Sequence, residues 1–165
     1  MTGTKWLYEA VNTNEIRAGY LNLIQSPTGS GKSTFALNQL LNGFDINKVV
    51  YLIDTNNGRE QILKKPNTAR VTDDWKFMCE SLENENCIGA GYDAIHSGKV
   101  VVLTYALFGS LAARRPFMGF DYDLIICDEI HSAVEMQSFC KDETKNHVKI
   151  AIERIKDIRP LAKLI

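Results

Sequence analysis

Short apolar runs alternate with stretches of helical periodicity along the chain. Four of the runs have the length and aliphatic content of strands, and the pattern predicts strands over residues 21–25, 48–54, 100–104 and 123–128. The last three are apolar at successive positions, which is typical of parallel strands buried on both faces. Strands that alternate with helices over the whole length predict an α/β domain. We expect a mainly parallel sheet, with helices on both of its faces and right-handed crossovers.

Helical periodicity follows three of these strands and returns near the end of the chain. It predicts helices over residues 32–41, 59–64, 105–115 and 148–158, and a glycine or proline follows each of them. Residues 70–98 are less regular, and we expect a helix and a loop there without assigned chemistry. The apolar tail at residues 161–165 lies beyond Pro160 and is not explained by the last helix.

Composition narrows the class of protein. With 165 residues the chain has the length of one domain, and its 45% hydrophobic and 24% charged residues are near globular averages. The formal net charge of −1 gives no basic field over the whole domain, although a local groove can still be basic. No apolar run approaches the roughly 20 residues that cross a bilayer, so we expect no contact with a membrane.

The four cysteines contain no C-x-x-C pair: Cys79, Cys87, Cys127 and Cys140. On a chain without a signal peptide we expect reduced thiols, buried as small apolar side chains in a cytoplasmic protein. The three histidines offer no short ligand spacing with these cysteines, so the sequence predicts no zinc site.

A glycine-rich segment, Ser-Pro-Thr-Gly-Ser-Gly-Lys-Ser-Thr at residues 26–34, lies between the first predicted strand and its helix. Its glycines allow the backbone to curl so that successive N–H groups point at phosphate oxygens, at the positive end of the helix. Lys32 is then placed to reach the β- and γ-phosphates, and the Ser33 hydroxyl to hold Mg²⁺. Ser26 replaces the glycine that starts the usual G-x-x-x-x-G-K-[ST] pattern, and a small residue still fits there. The predicted nucleotide-binding residues are Pro27, Thr28, Gly29, Ser30, Gly31, Lys32, Ser33 and Thr34.

Two adjacent acids, Asp128 and Glu129, open the sequence Asp-Glu-Ile-His at the end of the fourth predicted strand. In an open α/β sheet, ligands bind beyond the carboxyl ends of the strands, so we expect these acids to face the loop around Lys32. Asp128 would bind Mg²⁺, and Glu129 would orient and deprotonate the water that attacks the γ-phosphorus. The predicted catalytic residues are therefore Lys32, Asp128 and Glu129, and the predicted Mg²⁺ ligands are Ser33 and Asp128.

The loop at residues 26–34, followed by the acidic box at residues 128–131, resembles the first RecA-like domain of superfamily 2 helicases and translocases, specifically their D-E-x-H group. Two looser matches lie between them in the family's order, at Tyr51–Gln61 (motif Ia) and at Val101–Leu107 (a strand-end segment with Thr-Tyr). The resemblance implies a RecA-like P-loop fold with ATP and Mg²⁺ as cofactors. It also implies contact with single-stranded nucleic acid through the full-length protein.

In that family, strand-end loops touch the sugar-phosphate backbone of a single strand, which needs polar groups but no reading of bases. The resemblance therefore makes five residues candidates for nucleic-acid contact: Thr55, Asn56, Arg59, Thr104 and Tyr105. An ordinary turn at residues 56–58 and a helix N-cap at Thr104 explain these side chains equally well.

The family's Ser/Thr-Ala-Thr motif does not follow the acidic box, and no second RecA-like domain with an arginine finger is found. We therefore expect one RecA-like ATP-binding domain over residues 1–165, truncated before that motif. The resemblance implies that the strand leading to this motif lies between the strand of the phosphate-binding loop and the strand of the acidic box. An empty slot there would leave backbone groups unpaired, at roughly 1–3 kcal/mol for each buried group. We predict that residues 161–165 fill this slot, between the strand that ends near Gln25 and the strand that ends near Asp128.

Three hypotheses of function follow. The first is the ATP-binding and hydrolysing N-terminal domain of a helicase or nucleic-acid translocase, which we expect to be weakly active or inactive by itself. The second is a non-catalytic nucleotide-binding module; Glu129 argues against it, because a module without hydrolysis needs no water-orienting acid. The third is the ATPase of a DNA-packaging motor or a restriction translocase, which shares both motifs.

Overall fold

The computed structural model describes residues 6–17, 21–40, 48–64, 71–72, 99–114, 123–139, 141–142, 146–157 and 162–164. The strands in these residues are β1 (Leu21–Asn22), β2 (Lys48–Ile53), β3 (Val71–Thr72), β4 (Lys99–Thr104), β5 (Leu124–Cys127) and β6 (Ala162–Leu164). They form one six-stranded sheet in the order β1-β6-β5-β2-β4-β3. Every pairing in it is parallel, which confirms the predicted sheet.

The helices of the described residues are α1 (Leu7–Ala10), α2 (Lys32–Thr34), α3 (Asn56–Leu63), α4 (Tyr105–Arg114), α5 (Ile130–Met136) and α6 (His147–Asp157). α2 continues as a π-helical segment at Phe35–Leu40. Short 3₁₀ helices lie at Thr13–Glu15 and Gln137–Phe139.

β2 shows why the central strands are apolar at successive positions. Val50 and Leu52 belong to the core on one face of the sheet, and Val49, Tyr51 and Ile53 to the core on the other. None of these side chains is more than 6% exposed. Residues of α4 and α6 complete the first core, and residues of α1, α3 and the π-helical segment complete the second. Helices therefore cover both faces of the sheet, as the sequence predicts.

The close packing of α4 against α6 depends on Gly109. A Cβ atom built at this position would lie 1.7 Å from the carbonyl oxygen of His147, so no larger residue fits without a shift of one helix. Asn146 precedes α6 and is 4% exposed. Its Oδ1 accepts from the Lys149 backbone N–H at 3.0 Å, and its Nδ2 donates to the Gln137 carbonyl at 2.5 Å. A buried N-cap thus fixes the start of α6.

The predicted place of the tail is confirmed, because β6 lies inside the sheet between β1 and β5. Lys163 is in register with Leu21 on one side and with Ile125 on the other. The backbone of β6 therefore fills the predicted slot between these two strands.

The structure differs from the predicted elements in several places. β1 has two residues where five are predicted. Residues 56–58 form the first turn of α3 and do not precede it, because the Thr55 hydroxyl caps the helix by accepting from the Gly58 N–H at 3.1 Å. α1 and α5 are not predicted at all. β3 lies at the start of residues 70–98, where a helix and a loop are predicted. Residues 35–40 belong to the predicted helix over residues 32–41, but they are π-helical.

Some predictions lie outside the described residues. The helix and loop predicted over residues 70–98 fall mostly at residues 73–98, which are not described. The predictions for Cys79, Cys87 and Cys140 are not tested for the same reason. Cys127 is described and is 4% exposed, as expected for a small apolar side chain.

Candidate nucleotide-binding site

The segment between β1 and α2 forms a tight loop with two left-handed residues. Gly29 has a φ of +80° and Gly31 a φ of +88°, a conformation that strains any residue with a Cβ atom. The Ser30 N–H donates to the Pro27 carbonyl at 3.2 Å, and the Phe35 N–H donates to the Gly31 carbonyl at 2.8 Å. The loop therefore passes directly into the first turn of α2, as a phosphate-binding loop requires.

Ser26 is part of the loop's own hydrogen bonding. Its hydroxyl accepts from the Ser30 hydroxyl at 2.9 Å, and its carbonyl accepts from the Lys32 ammonium group at 3.2 Å. The serine that stands in place of the usual first glycine therefore links both ends of the loop.

The N-terminal segment supports the loop from outside. The Leu7 N–H donates to the Ser30 carbonyl at 2.9 Å. The indole ring of Trp6 lies against Gly31, since a Cβ atom at Gly31 would be 3.3 Å from the ring carbon Cε3. Gly31 is consequently needed both for its φ and for this close approach.

The acidic residues meet the loop beyond the carboxyl end of β5. The Lys32 Nζ lies 3.4 Å from the Glu129 Oε1, and the His131 Nε2 lies 3.4 Å from the Glu129 Oε2. The Asp128 N–H donates to the Leu52 carbonyl at 2.9 Å, which ties the turn after β5 to the neighbouring strand β2. The Glu129 carboxylate therefore lies between a lysine and a histidine.

Glu129 has an unusual backbone conformation. Its φ is +51°, and it is the one non-glycine residue with a positive φ in the described part of the chain. For an L-residue this conformation costs about 1–2 kcal/mol. Such strain persists where the surrounding structure imposes it, often at functional sites. The Glu129 carbonyl accepts from the Ser132 N–H at 3.0 Å, so the strained residue also starts α5.

Two buried tyrosines hold Asp128. The Tyr51 hydroxyl donates to the Asp128 Oδ2 at 2.5 Å, and the Tyr105 hydroxyl donates to the Asp128 backbone carbonyl at 3.0 Å. Each tyrosine is 1% exposed. A hydrogen bond also joins the Ser33 and Tyr51 hydroxyls. One tyrosine therefore fixes the carboxylate of Asp128 and the other fixes its main chain.

Burial dominates the electrostatics of these groups. It raises the pKa of Asp128 above its usual range; the Glu129 carboxylate acts in the same direction, whereas the Tyr51 hydrogen bond and Lys32 lower this pKa. Burial, with the Asp128 charge added to it, raises the pKa of Tyr51. Burial likewise raises the pKa of Tyr105. Both tyrosines therefore keep their protons and act as donors.

A cavity of about 490 Å³ lies where the loop and the acidic box meet. Its walls come from residues 23–26 after β1 and from residues 126–131 at the end of β5, and Tyr51 also lines it. Lys32, Asp128 and Glu129 supply its charged groups. It thus combines a phosphate-binding loop with two carboxylates.

The candidates for nucleic-acid contact follow the neighbouring strands β2 and β4, whose last residues Ile53 and Thr104 are in register. Thr104 caps α4, because its hydroxyl accepts from the Leu107 N–H at 3.2 Å. Thr55 and Asn56 are exposed. The Nε of Arg59 is buried without a hydrogen-bond partner in the described residues. The side chain of Tyr105 is buried and its hydroxyl is already used, so it offers no surface to a bound strand.

Across the described ranges, no cluster of three or more His, Cys, Asp and Glu side chains has the arrangement of a metal site. In the same ranges, no helix is long and apolar enough to span a membrane.

Sequence reasoning missed three features of this site. The role of Tyr51 depends on Asp128, which lies far from it in the sequence; the signal was a hydroxyl in an otherwise aliphatic strand. For the hydrogen bonds of Ser26, the signal was the place of this residue at the first position of the loop pattern. The contact of Trp6 with Gly31 had no signal beyond the presence of an aromatic residue before β1.

A parallel sheet covered by helices, with this loop after one edge strand and an Asp-Glu box at the end of an interior strand, defines the RecA-like ATP-binding domain of a superfamily 2 helicase. More particularly, the chain belongs to the family described as "Type III restriction enzyme, res subunit", whose model matches residues 5–161. The predicted family and fold class are thereby confirmed.

A relative among known proteins is the genome polyprotein of Hepatitis C virus genotype 6a (isolate EUHK2). It is 29% identical over 116 residues, which make up 70% of this chain and 3% of the polyprotein. The chain therefore spans only a small part of the length of this relative.

Proposed function

We propose that this chain binds Mg²⁺-ATP and hydrolyses it as the motor domain of a helicase or nucleic-acid translocase. The observation that carries the proposal is the contact between the loop and the acidic box, with the Lys32 Nζ 3.4 Å from the Glu129 Oε1. A phosphate-binding lysine and a water-orienting acid must share one site for hydrolysis, and this contact supports such a site.

Different residues of this chain have different roles in the proposed reaction. The backbone N–H groups after Gly29 bind the β- and γ-phosphates, together with the positive end of α2. Lys32, which contacts the Ser26 carbonyl and the Glu129 carboxylate, exchanges these partners for phosphate oxygens when nucleotide binds. Glu129 then accepts a proton from the attacking water. The strained backbone of Glu129 holds its carboxylate towards the cavity.

The donor set suits Mg²⁺. Mg²⁺ prefers oxygen ligands and is usually held by one or two protein groups together with substrate phosphates. The Ser33 hydroxyl and the Asp128 carboxylate are oxygen donors, and both hydrogen-bond to the same Tyr51 hydroxyl, so they lie close to each other. Ser33 and Asp128 would hold the cation, which supplies charge neutralisation at the phosphate oxygens.

Single-stranded nucleic acid is the proposed partner of the exposed edge beyond β2 and β4. Asn56 and Arg59 are its strongest candidates, because Asn56 is exposed and Arg59 is a partly exposed basic side chain. Thr55 and Thr104 remain candidates, although both hydroxyls already cap helices. A second RecA-like domain that supplies an arginine finger, and a cytoplasmic location, stay predictions.

The family match favours one second candidate. Because the chain belongs to the family of the restriction res subunit, the motor of a restriction translocase acting on double-stranded DNA is the alternative. Stimulation of ATP hydrolysis by double-stranded DNA, with none by single strands, would select this alternative.

The test compares three variants in ATP binding and hydrolysis. Lys32→Ala should abolish nucleotide binding, and Glu129→Gln should keep binding but lose hydrolysis, because only the water-orienting carboxylate is removed. Lys141→Ala removes an exposed lysine outside the site and serves as the matched control, with binding equal to the wild type. Unchanged ATP affinity in Lys32→Ala would refute the assignment.

A second test addresses nucleic acid. Arg59→Ala should weaken the binding of a single-stranded oligonucleotide and lower the slope of log affinity against log salt by about 1, as expected for a lost phosphate contact. Arg114→Ala, at the far end of α4, is the control for loss of a positive charge. Equal salt slopes in Arg59→Ala and the wild type would exclude Arg59 from the interface.

A further inference from the structure

Tyr51 is a polar residue in an otherwise aliphatic stretch of β2, and its side chain is 1% exposed. A buried hydroxyl needs a hydrogen-bond partner to offset its desolvation, whereas Phe would fill nearly the same space without that requirement. Tyr51 is in register with Ile126, and its side chain reaches beyond the end of β5 to the Asp128 Oδ2 at 2.5 Å. Its position in the sheet thus connects the core to the site.

The hydroxyl of Tyr51 has two partners. Its single proton is donated to Asp128, so in the hydrogen bond with Ser33 the serine hydroxyl must be the donor. These two partners are the residues proposed to hold Mg²⁺. One buried oxygen atom therefore links the metal ligand of the phosphate-binding loop to the metal ligand of the acidic box.

Tyr105 provides an internal contrast. It is as buried as Tyr51 and also donates to Asp128, but its acceptor is the backbone carbonyl at 3.0 Å. It anchors the main chain. Besides burial, the Asp128 charge raises the pKa of Tyr105, but no hydrogen bond recorded for the described residues joins its hydroxyl to the Asp128 carboxylate. The two tyrosines allow the effect of a lost buried hydroxyl to be separated from the effect of a lost ligand contact.

We propose that Tyr51 is a positioning residue of the cation site, whose hydroxyl holds the Ser33 hydroxyl and the Asp128 carboxylate at the spacing that one shared Mg²⁺ requires. The proposal rests on the proposed function, because it takes Ser33 and Asp128 as the cation ligands. Mg²⁺ demands nearly ideal octahedral geometry, so small displacements of its ligands weaken binding. Residues that orient metal ligands typically change metal affinity by about 10- to 100-fold when they are replaced.

The experiment measures the Kd of the non-hydrolysable analogue AMP-PNP in excess EDTA and in excess Mg²⁺. The ratio of the two values reports the contribution of the cation to binding. For Tyr51→Phe we expect this ratio to fall by about 10-fold or more relative to the wild type, with the Kd in EDTA unchanged. For Tyr105→Phe we expect the wild-type ratio, since neither ligand side chain loses a contact.

The Kd in EDTA also reports the folded state of each variant, because only a folded loop binds the analogue. A wild-type ratio in Tyr51→Phe overturns the proposal, and so does an equal fall in both tyrosine variants. Loss of binding by Tyr51→Phe in EDTA as well as in Mg²⁺ also overturns it, since the effect is then not specific to the cation. A wild-type chain that binds no AMP-PNP in either condition refutes the proposed function itself.

Discussion

The core beneath α4 and α6 differs from the nucleotide site in how well its residues satisfy packing, hydrogen-bonding and backbone preferences. Beneath the two helices, apolar side chains fill the core, Gly109 allows a close backbone approach, and buried Asn146 is hydrogen-bonded at both ends of its amide. At the site edge, Glu129 has a strained backbone and Asp128 is a carboxylate partly removed from water.

The difference shows that the residues that cost this fold stability lie at the nucleotide site. Local rules of packing and conformation are kept around α4 and α6, and they are broken at residues that face the cavity. Substitutions in the first region should therefore only destabilise the chain, whereas one substitution in the second region should stabilise it and remove activity. Four substitutions test this contrast, and their expected effects decrease in the order Gly109, Asn146, Glu129 and Ser26.

Gly109→Ala should have the largest effect. The added Cβ would meet the His147 carbonyl, so α4 and α6 must move apart; we expect a loss of about 3 kcal/mol, at the upper end of overpacking costs. Chemical denaturation measures the free energy of unfolding. Ala106→Ser adds one atom to the exposed side of the same helix and should change this energy by about 0.5 kcal/mol or less. Equal effects of the two changes would show that the helices are not closely packed.

Asn146→Ala should come next. It removes a buried N-cap and leaves the Gln137 carbonyl without this donor, at about 2 kcal/mol. Thr55→Ala removes the exposed cap of α3 and should cost about 1 kcal/mol or less. Thermal unfolding of both variants measures the difference. A larger effect at Thr55 would contradict the importance of burial on the α6 side.

Glu129→Gly should raise the free energy of unfolding by about 1 kcal/mol, because glycine adopts the positive φ without strain. ATP hydrolysis should be lost at the same time. Glu129→Ala is the control, since it removes the same carboxylate but keeps the strain and should bring no such gain. If the glycine and alanine variants are equally stable, the backbone of Glu129 is not strained.

Ser26→Gly should have the smallest effect. It removes the hydroxyl that accepts from Ser30 at 2.9 Å, at about 0.5 kcal/mol for a partly exposed hydrogen bond. Binding of AMP-PNP should persist, because Lys32 contacts the backbone carbonyl of this residue and not its side chain. Ser26→Ala separates the loss of the hydroxyl from the added flexibility of glycine. Loss of analogue binding in Ser26→Gly would mean that the hydroxyl itself shapes the loop.

Sequence patterns predicted the parts of the fold that local physics determines. The apolar runs of β2, β4 and β5 identify these strands from the sequence alone, and the helical periodicity of α4 and α6 identifies these helices. The place of β6 followed from the strand order that the family resemblance implies. A general requirement then indicated that the slot is filled, because unpaired backbone groups inside a sheet are costly. The loop at residues 26–34 was recognisable because its glycines, lysine and serine are adjacent in the sequence.

The rest depends on contacts between distant residues. Tyr51 and Asp128 are brought together by strand pairing, and no local pattern shows that a strand tyrosine will face a particular carboxylate. Tyr105 was expected to reach nucleic acid because it follows a strand end, but the first turn of α4 directs its side chain into the core. The left-handed backbone of Glu129 likewise arises from the sharp turn between β5 and α5, which composition does not show.

The position of β6 has a consequence for the order of folding. This strand lies far from β1 in the sequence, yet it separates β1 from β5 in the sheet. During synthesis, the neighbour of β1 does not exist until residues 162–164 have been made, and a contact of such long range slows folding. Until then β1 and β5 expose unpaired strand edges, which makes the unfinished domain prone to association. The phosphate-binding loop, which follows β1, therefore gains its sheet support among the last steps of folding.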